Sequence, residues 1–175
     1  MATARKATNL AKRLERTGRS ELRRKLLPGT VTTSRAKSGS TGEHFQIATP
    51  TPVVVPRDQM GRLPGQWTIR MSWDVYEDPA DGDARVMMSS VSLNVSEILL
   101  TSAGDYCLVR YDTNRFNDAP SRSHSAVHLN VLQPSKLGSK VHYPVFGLDH
   151  DVWPLDQVLD FFLSADLQED LSSLL

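Results

Sequence analysis

Polar and apolar residues alternate over several segments in the middle of the chain, as expected of β-strands that bury one face. The clearest segment runs from Trp67 to Val75, where every second residue is apolar. Comparable segments follow at residues 85–95, 106–112, 127–131 and 140–146, and stretches containing Gly, Pro, Asn or Asp separate them. Short connections join antiparallel neighbours, so the pattern predicts an antiparallel meander sheet of four to six strands.

The N-terminal segment has a helical pattern instead. Among its Ala, Lys and Arg residues, four leucines recur at multiples of four residues: Leu10, Leu14, Leu22 and Leu26. Gly18 can end one helix and Pro28 stops the pattern, so we expect two short helices or one bent helix. So narrow an apolar stripe buries little surface, and we expect the segment to become ordered only when it docks onto something.

The C-terminal segment predicts a helix that packs on one face of the sheet. Leu155, Val158 and Leu159 recur at helical spacing, and Asp156 lies in the first turn, where the helix dipole favours an acid. The whole chain therefore predicts an α+β fold. We divide it into a basic helical arm over residues 1–29, a flexible Ser- and Thr-rich linker over residues 30–48, and an α+β domain over residues 49–175.

Charge is distributed very unevenly along the chain. Residues 1–40 contain 11 Lys or Arg and only two acids, Glu15 and Glu21, which gives +9 against a net charge of zero for the whole protein. A basic segment of this kind indicates a nucleic acid or an acidic protein as the partner. The candidate binding residues are Lys12, Arg13, Arg16, Arg19, Arg23, Arg24 and Lys25.

Other classes of protein fit the sequence less well. No apolar run approaches the roughly 18 residues that a membrane helix needs, so we expect no membrane association. Cys107 is the only cysteine, which excludes an internal disulfide and fits a cytoplasmic location. His124 and His128 lie four apart in a strand context without further ligands, so we expect neither a metal nor a cofactor.

The strand alternation brings a set of candidate catalytic residues to one side of the sheet. If the apolar residues of the last three strands face the core, the opposite face displays Arg110, Asp112, His128 and His142. Two histidines can act as acid and base in RNA cleavage, and an arginine can stabilise charge on phosphorus. Asp112 would orient a histidine or the arginine, and His124 is a substitute at the loop rim. The alternative is a solvated sheet face without catalytic activity.

The same region resembles a known group of proteins. Its order of motifs is Arg110-Tyr111-Asp112, then residues 124–130 (HSAVHLN), Val141-His142-Tyr143-Pro144 and Trp153-Pro154-Leu155. This layout is similar to that of the TumE-like toxins of bacterial toxin-antitoxin and phage-defence operons. The resemblance covers roughly the last 65 residues and implies an intracellular protein that acts on RNA or is held in a complex.

These observations lead to one expectation and two alternatives. We expect a defence- or toxin-antitoxin-associated protein that engages nucleic acid or a partner protein through its basic arm, with a metal-independent ribonuclease site as a candidate. The first alternative is a non-catalytic subunit of a multiprotein complex that docks by its N-terminal helices. The second is a coat-like protein with a nucleic-acid-binding arm. A homo-oligomer is compatible with each of them.

Overall fold

The computed structural model describes residues 4–35, 43–61, 63, 65–77, 82–96, 106–114, 127–132, 140–144 and 155–174. The predicted linker residues 36–42 and the predicted rim residue His124 lie outside them. The elements are α1 (Ala4–Arg24), β1 (Thr32–Arg35), β2 (His44–Ala48), β3 (Val53–Val54), β4 (Gln66–Glu77), β5 (Ala84–Ser96), β6 (Tyr106–Asn114), β7 (Val127–Leu132), β8 (Lys140–Pro144), α2 (Leu155–Phe162) and α3 (Ala165–Leu174). A 3₁₀ turn at Arg57–Gln59 lies between β3 and β4.

The described strands form one antiparallel sheet. Its order is β1-β2-β4-β5-β6-β7-β8, and β3 pairs with β4 beside this path. Within it, β4 to β8 are the predicted meander, because each of these strands pairs with the next one along the chain. The predicted α+β fold is therefore confirmed, and β1, β2 and β3 extend the sheet to eight strands.

Two strands lie where the sequence predicted a flexible linker. β1 pairs with β2, and β2 pairs with β4, so that Ile47 lies opposite Trp73 and is fully buried. The side chains of β1 are mostly exposed, and the strand is held by its backbone pairing. The linker prediction is wrong for both strands, because their position depends on a neighbouring strand and not on their own polar composition.

α1 is a single helix that packs on the sheet against β1, β2, β4 and β5. Ala7, Ala11 and Leu22 are buried in the same apolar cluster as the strands. A Cβ atom on Gly18 would lie 2.8 Å from Cγ2 of Val31 and 3.3 Å from Cη2 of Trp73. Gly18 therefore permits close approach of the helix to the sheet. The helix continues through Gly18, so of the two predicted alternatives, two short helices or one bent helix, the first is wrong.

The end of α1 adopts a left-handed turn at a leucine. The amide of Leu27 donates to the carbonyl of Leu22 at 2.8 Å, and the amide of Leu26 donates to the carbonyl of Arg23 at 3.0 Å. This pair of hydrogen bonds is a Schellman motif, which needs a positive φ at its central residue. Leu26 has a φ of 56° and is 77% exposed, whereas Leu27 is buried in its place.

We expect Leu26→Gly to stabilise the protein. Glycine adopts a left-handed conformation without the steric cost of a Cβ atom, and the exposed leucine side chain contributes little burial. The free energy of unfolding, measured by chemical denaturation, should rise by about 0.5–1 kcal/mol. Leu26→Ala is the control, since it keeps the Cβ atom. An equal gain from both variants would contradict this explanation.

The C-terminal region forms two short helices where one helix was expected. The predicted apolar face of α2 is confirmed, because Leu155, Val158, Leu159 and Phe162 are buried. Ser164 lies between the helices, and its Oγ accepts a hydrogen bond from the amide of Leu167 at 3.2 Å. It therefore caps the start of α3. The Nε2 atom of Gln168 donates to the carbonyl of Gln59 at 2.7 Å, which ties α3 to the 3₁₀ turn.

Alkaline pH should destabilise the fold through a buried tyrosine. Tyr111 on β6 is 5% exposed, and burial raises its pKa to about 12. Its pKa in the unfolded chain is about 10, so the stabilising contribution is complete below that pH and is lost as the pH rises towards 12.

Comparing denaturation at about pH 9 and about pH 11 tests this expectation, because the two conditions bracket the ordinary tyrosine pKa. The wild type should lose more stability between them than Tyr111→Phe does. Burial, then the charge of Asp74, also raises the pKa of Tyr76, so a smaller loss should remain in the variant. Identical pH dependence in both proteins would contradict the assignment.

Candidate functional site

The solvent face of α1 carries most of the predicted binding residues. Lys12, Arg13, Arg16 and Arg23 are exposed, and none of them forms an ion pair with an acid among the residues that the structure describes. We call these four residues the basic face. Lys12, Arg16 and Arg23 are separated by four and seven residues, so they lie along one side of the helix over roughly 16 Å.

Three other predicted binding residues have partners within the chain. Arg19 pairs with Glu15 at 2.6 Å and donates to the carbonyl of Val31 at 2.8 Å. Arg24 pairs with Glu21 at 2.6 Å.

Lys25 binds Asp160 of α2, and its side chain is only 12% exposed. Burial, followed by the charge of Arg24, lowers the pKa of Lys25. Lys25 therefore links the end of α1 to α2, which makes it less accessible to a ligand than the basic face.

A groove of about 750 Å³ lies between α1 and the start of β5. We call it the cationic groove. The part of its lining that the structure describes contains four cations and one acid, together with a polar and an apolar part. The residues are Lys6, Asn9, Leu10, Arg13, Arg16, Asp83, Ala84, Arg85 and Val86.

The one acid of the described groove lining is paired with a cation. Asp83 pairs with Lys6 across the groove at 2.5 Å, with both side chains half exposed. The hydrogen bond from Lys6 lowers the pKa of Asp83, and the charges of Lys6 and Arg85 lower it further. Asp83 therefore stays ionised well below neutral pH, and cations outnumber acids in the described lining.

Backbone register aligns the predicted catalytic residues across β6, β7 and β8. Arg110 lies opposite Asn130, and Asn130 lies opposite His142. One step along the strands, Asp112 lies opposite His128. His128 and His142 are therefore diagonal neighbours in register, and such positions are roughly 7–8 Å apart.

Arg110 and Asp112 also interact directly. The Nε atom of Arg110 donates to Oδ2 of Asp112 at 2.6 Å, so both side chains are on the same face of β6. Their exposed fractions are 37% and 14%, so the carboxylate is the less accessible of the two. The sequence predicted that Asp112 would orient either a histidine or this arginine. Arg70 on β4 lies opposite Ser92 on β5, and Ser92 lies opposite Arg110 on β6, so Arg70 and Arg110 are aligned across the sheet. Arg70 was not predicted from the sequence, because β5 separates its strand from that of Arg110.

A second polar cluster was not predicted from the sequence. The Nε2 atom of His44 lies 3.0 Å from Oδ1 of Asp74, and the His44 ring stacks on Tyr76 with 3.9 Å between ring centroids. His44 fell in the predicted linker, and nothing in its own segment placed it beside β4. The one available signal was that Asp74 and Tyr76 are two residues apart on a predicted strand and therefore share a face.

Two further features concern the described residues only. No group of three or more His, Cys, Asp or Glu among them is arranged to hold a metal ion. None of their helices has both the length and the apolar character that a membrane-spanning helix needs.

Comparison with known proteins adds no family to this picture. No protein-family model matches the chain, and neither a curated protein nor a solved structure is significantly similar to it. The fold and the site together define an α+β protein with an antiparallel sheet, a cationic helix face and a cationic groove beside it.

Proposed function

We propose that this protein binds nucleic acid through the basic face of α1. The observation that carries the proposal is the accessibility of Lys12, Arg13, Arg16 and Arg23 on a helix whose other side is packed on the sheet. Exposed Lys and Arg residues bind phosphates and release counterions, which supplies most of the sequence-independent affinity for nucleic acid. A packed helix also presents these charges in a fixed arrangement.

The absence of an apolar anchor favours nucleic acid over an acidic protein. Among the described residues, the exposed large hydrophobic side chains are Leu26, Val54, Met88 and Phe161, and none of these lies within α1. Protein interfaces derive most of their affinity from buried apolar and aromatic anchors, whereas nucleic-acid interfaces are polar and strongly positive. The basic face has the second character.

Two acids of α2 lie near the C-terminal end of α1. Asp160 binds Lys25, and the charge of Asp156 also acts on Lys25, whereas at the N-terminal end Asp83 is paired with Lys6. Negative charge at that end repels a polyanion. We therefore expect nucleic acid to approach the N-terminal part of the helix.

Fluorescence anisotropy with a labelled oligothymidylate tests the proposal. The wild type should bind, and the triple variant Lys12→Gln, Arg16→Gln, Arg23→Gln should bind at least about 30-fold more weakly at low salt, with a salt slope reduced by roughly 2. The matched control removes three cations that have partners, in the variant Arg19→Gln, Arg24→Gln, Arg35→Gln. It should lose much less affinity.

Two results would overturn the proposal. One is the absence of binding by the folded wild type to single-stranded and duplex probes, which would favour an acidic protein partner. The other is equal loss of affinity in the two triple variants. Thermal unfolding of each variant must match the wild type, so that lost binding is not confused with lost structure.

A second function, RNA cleavage, is favoured by the Arg110–Asp112 ion pair and the adjacent register positions of His128 and His142. In this reaction one histidine removes the proton of the ribose 2′-hydroxyl, and the 2′-oxygen attacks phosphorus. The bond to the 5′-oxygen breaks as the other histidine gives a proton to that leaving oxygen. Arg110 would stabilise the charge on the phosphoryl oxygens.

Incubation of purified protein with mixed RNA tests this second function. The wild type should produce fragments ending in 2′,3′-cyclic phosphate, and the double variant His128→Ala, His142→Ala should not. Equal activity of the two proteins, or none from either, would remove the ribonuclease assignment. The oligothymidylate binding experiment would be unaffected, because that probe lacks the 2′-hydroxyl.

The proposed cellular setting of these functions rests on the sequence. The layout shared with the TumE-like toxins supports a role in a toxin-antitoxin or phage-defence operon, and the single cysteine supports a cytoplasmic location. Both belong to the proposal. Co-purification with the product of a neighbouring gene would test the operon association.

A further inference from the structure

We propose that the cationic groove between α1 and β5 is the part of the surface that receives the nucleic acid, and that its ligand is a single strand. This inference rests on the proposed function and narrows it to a site and a substrate class. It also places Arg85 of β5 beside the ligand, although Arg85 is far in the sequence from the basic N-terminal segment.

The charge of the groove fits a phosphodiester. Lys6, Arg13, Arg16 and Arg85 line it, and the acid Asp83 is bound by Lys6. Arg13 and Arg16 form no ion pair with an acid among the described residues, so at least these two positive charges are available within one concave surface. Concave surfaces of one charge sign concentrate their electrostatic field, so an anion is held more strongly there than on the convex side of the helix.

The apolar part of the groove fits the sugar and base of an unpaired nucleotide. Leu10 is partly buried, and Ala84 and Val86 are partly buried at the start of β5. Single-stranded nucleic acids bind in positively charged grooves that track the backbone while the bases contact the protein surface. A duplex presents only phosphates and groove edges to such a surface, because its bases are stacked inside.

The groove lining also predicts the character of binding. No aromatic side chain belongs to the described lining, so base stacking, which ordinarily adds affinity in such grooves, is not available there. Affinity should therefore be strongly dependent on salt and nearly independent of sequence. Oligothymidylate and oligouridylate of equal length should bind about equally.

Two double variants that each remove two positive charges separate the groove from the rest of the surface. Arg13→Ala, Arg16→Ala changes the groove, whereas Arg24→Ala, Arg35→Ala changes cations outside its lining that already have acid partners. For labelled oligothymidylate, the groove variant should bind about tenfold more weakly, with a salt slope reduced by about 1.4, and the outside variant should lose less than about threefold.

A change of opposite sign guards against structural damage as the cause. Asp83→Asn removes the acidic charge of the described groove lining. This variant should bind oligothymidylate a few-fold more tightly than the wild type, because a charge that repels the phosphates is lost. Loss of structure would weaken binding instead.

The outcomes distinguish this inference from the proposed function. Weaker binding by the groove variant, with tighter binding by Asp83→Asn, supports the groove. If the outside variant loses as much affinity as the groove variant, or a duplex of the same length binds more tightly than the single strand, the groove is the wrong site although the protein binds nucleic acid. If the folded wild type binds no probe, both proposals fail.

Discussion

Deletion of residues 1–24 should abolish cooperative folding. The deleted helix covers β1, β2, β4 and β5, and residues beneath it such as Val31, Ile47 and Trp73 are at most 1% exposed. Its removal would expose this apolar surface, and the loss would include the burial of Leu22. Burial of one large apolar side chain contributes about 1.5–3 kcal/mol, so the loss over these four residues is comparable to the roughly 5–15 kcal/mol stability of an ordinary domain.

Thermal unfolding followed by circular dichroism measures this effect. The full-length protein should unfold in one cooperative transition, and the truncated protein should show none or should aggregate. The triple variant Lys12→Gln, Arg16→Gln, Arg23→Gln is the control, because it removes the charge of α1 but keeps its buried face. A truncated protein with the unfolding temperature of the full-length chain would show that α1 does not support the sheet.

Gly18→Leu should produce the largest destabilisation of any single change that we predict. A Cβ atom at this position already comes within 2.8 Å of Val31, and the remaining side-chain atoms have no room between α1 and β4. Overpacking of this kind typically costs about 1–3 kcal/mol, and we expect about 3 kcal/mol or more here because the helix must move off the sheet. Glycine is unfavourable inside a helix, so propensity alone would give the opposite sign.

The control for Gly18→Leu is Thr17→Leu, one residue away on the exposed side of the same helix. It should change the free energy of unfolding by less than about 0.5 kcal/mol. A double variant tests the contact itself. Gly18→Ala should cost less stability in a protein that already carries Val31→Ala than in the wild type, because the side chain that the new Cβ would meet is gone. If the losses in the free energy of unfolding from the two changes simply add, the contact is contradicted.

The sequence predicted the central sheet well, because the pattern that identifies each strand lies within that strand. In β4, the alternation from Trp67 to Val75 reports which side chains are buried without reference to any other strand. The same holds for the apolar face of α2. A strand or helix with one clearly apolar side is stable only against a core, so its pattern identifies it.

The packing of α1 could not be predicted in the same way. The leucine pattern identified Leu22 as apolar, but the contact with the sheet also uses Ala7, Ala11 and Gly18, which are small and do not stand out in a hydrophobic pattern. Small residues become informative only when the surface they approach is known. Leu26 was included in the predicted stripe, although the helix ends at Arg24 and the chain turns there.

The candidate sites also differ in how much of each could be predicted from a local pattern. Arg110 and Asp112 lie two residues apart on one strand, so their shared face followed from alternation. The cationic groove joins Arg13 of α1 to Arg85 of β5, and the His44–Asp74 pair joins β2 to β4. These combinations depend on tertiary packing and strand register, for which a single sequence contains no local signal.

We conclude that the basic N-terminal segment is a fixed element of the fold that presents its cations from the surface of the sheet. Amide hydrogen exchange of the free, full-length protein is the decisive test of this conclusion. We expect the amides of the middle of α1, from Ala11 to Leu22, to be protected to a similar degree as those of β4. Exchange of these α1 amides at the rate of an unfolded peptide, with β4 still protected, would show that the segment is a detached arm and would contradict the account.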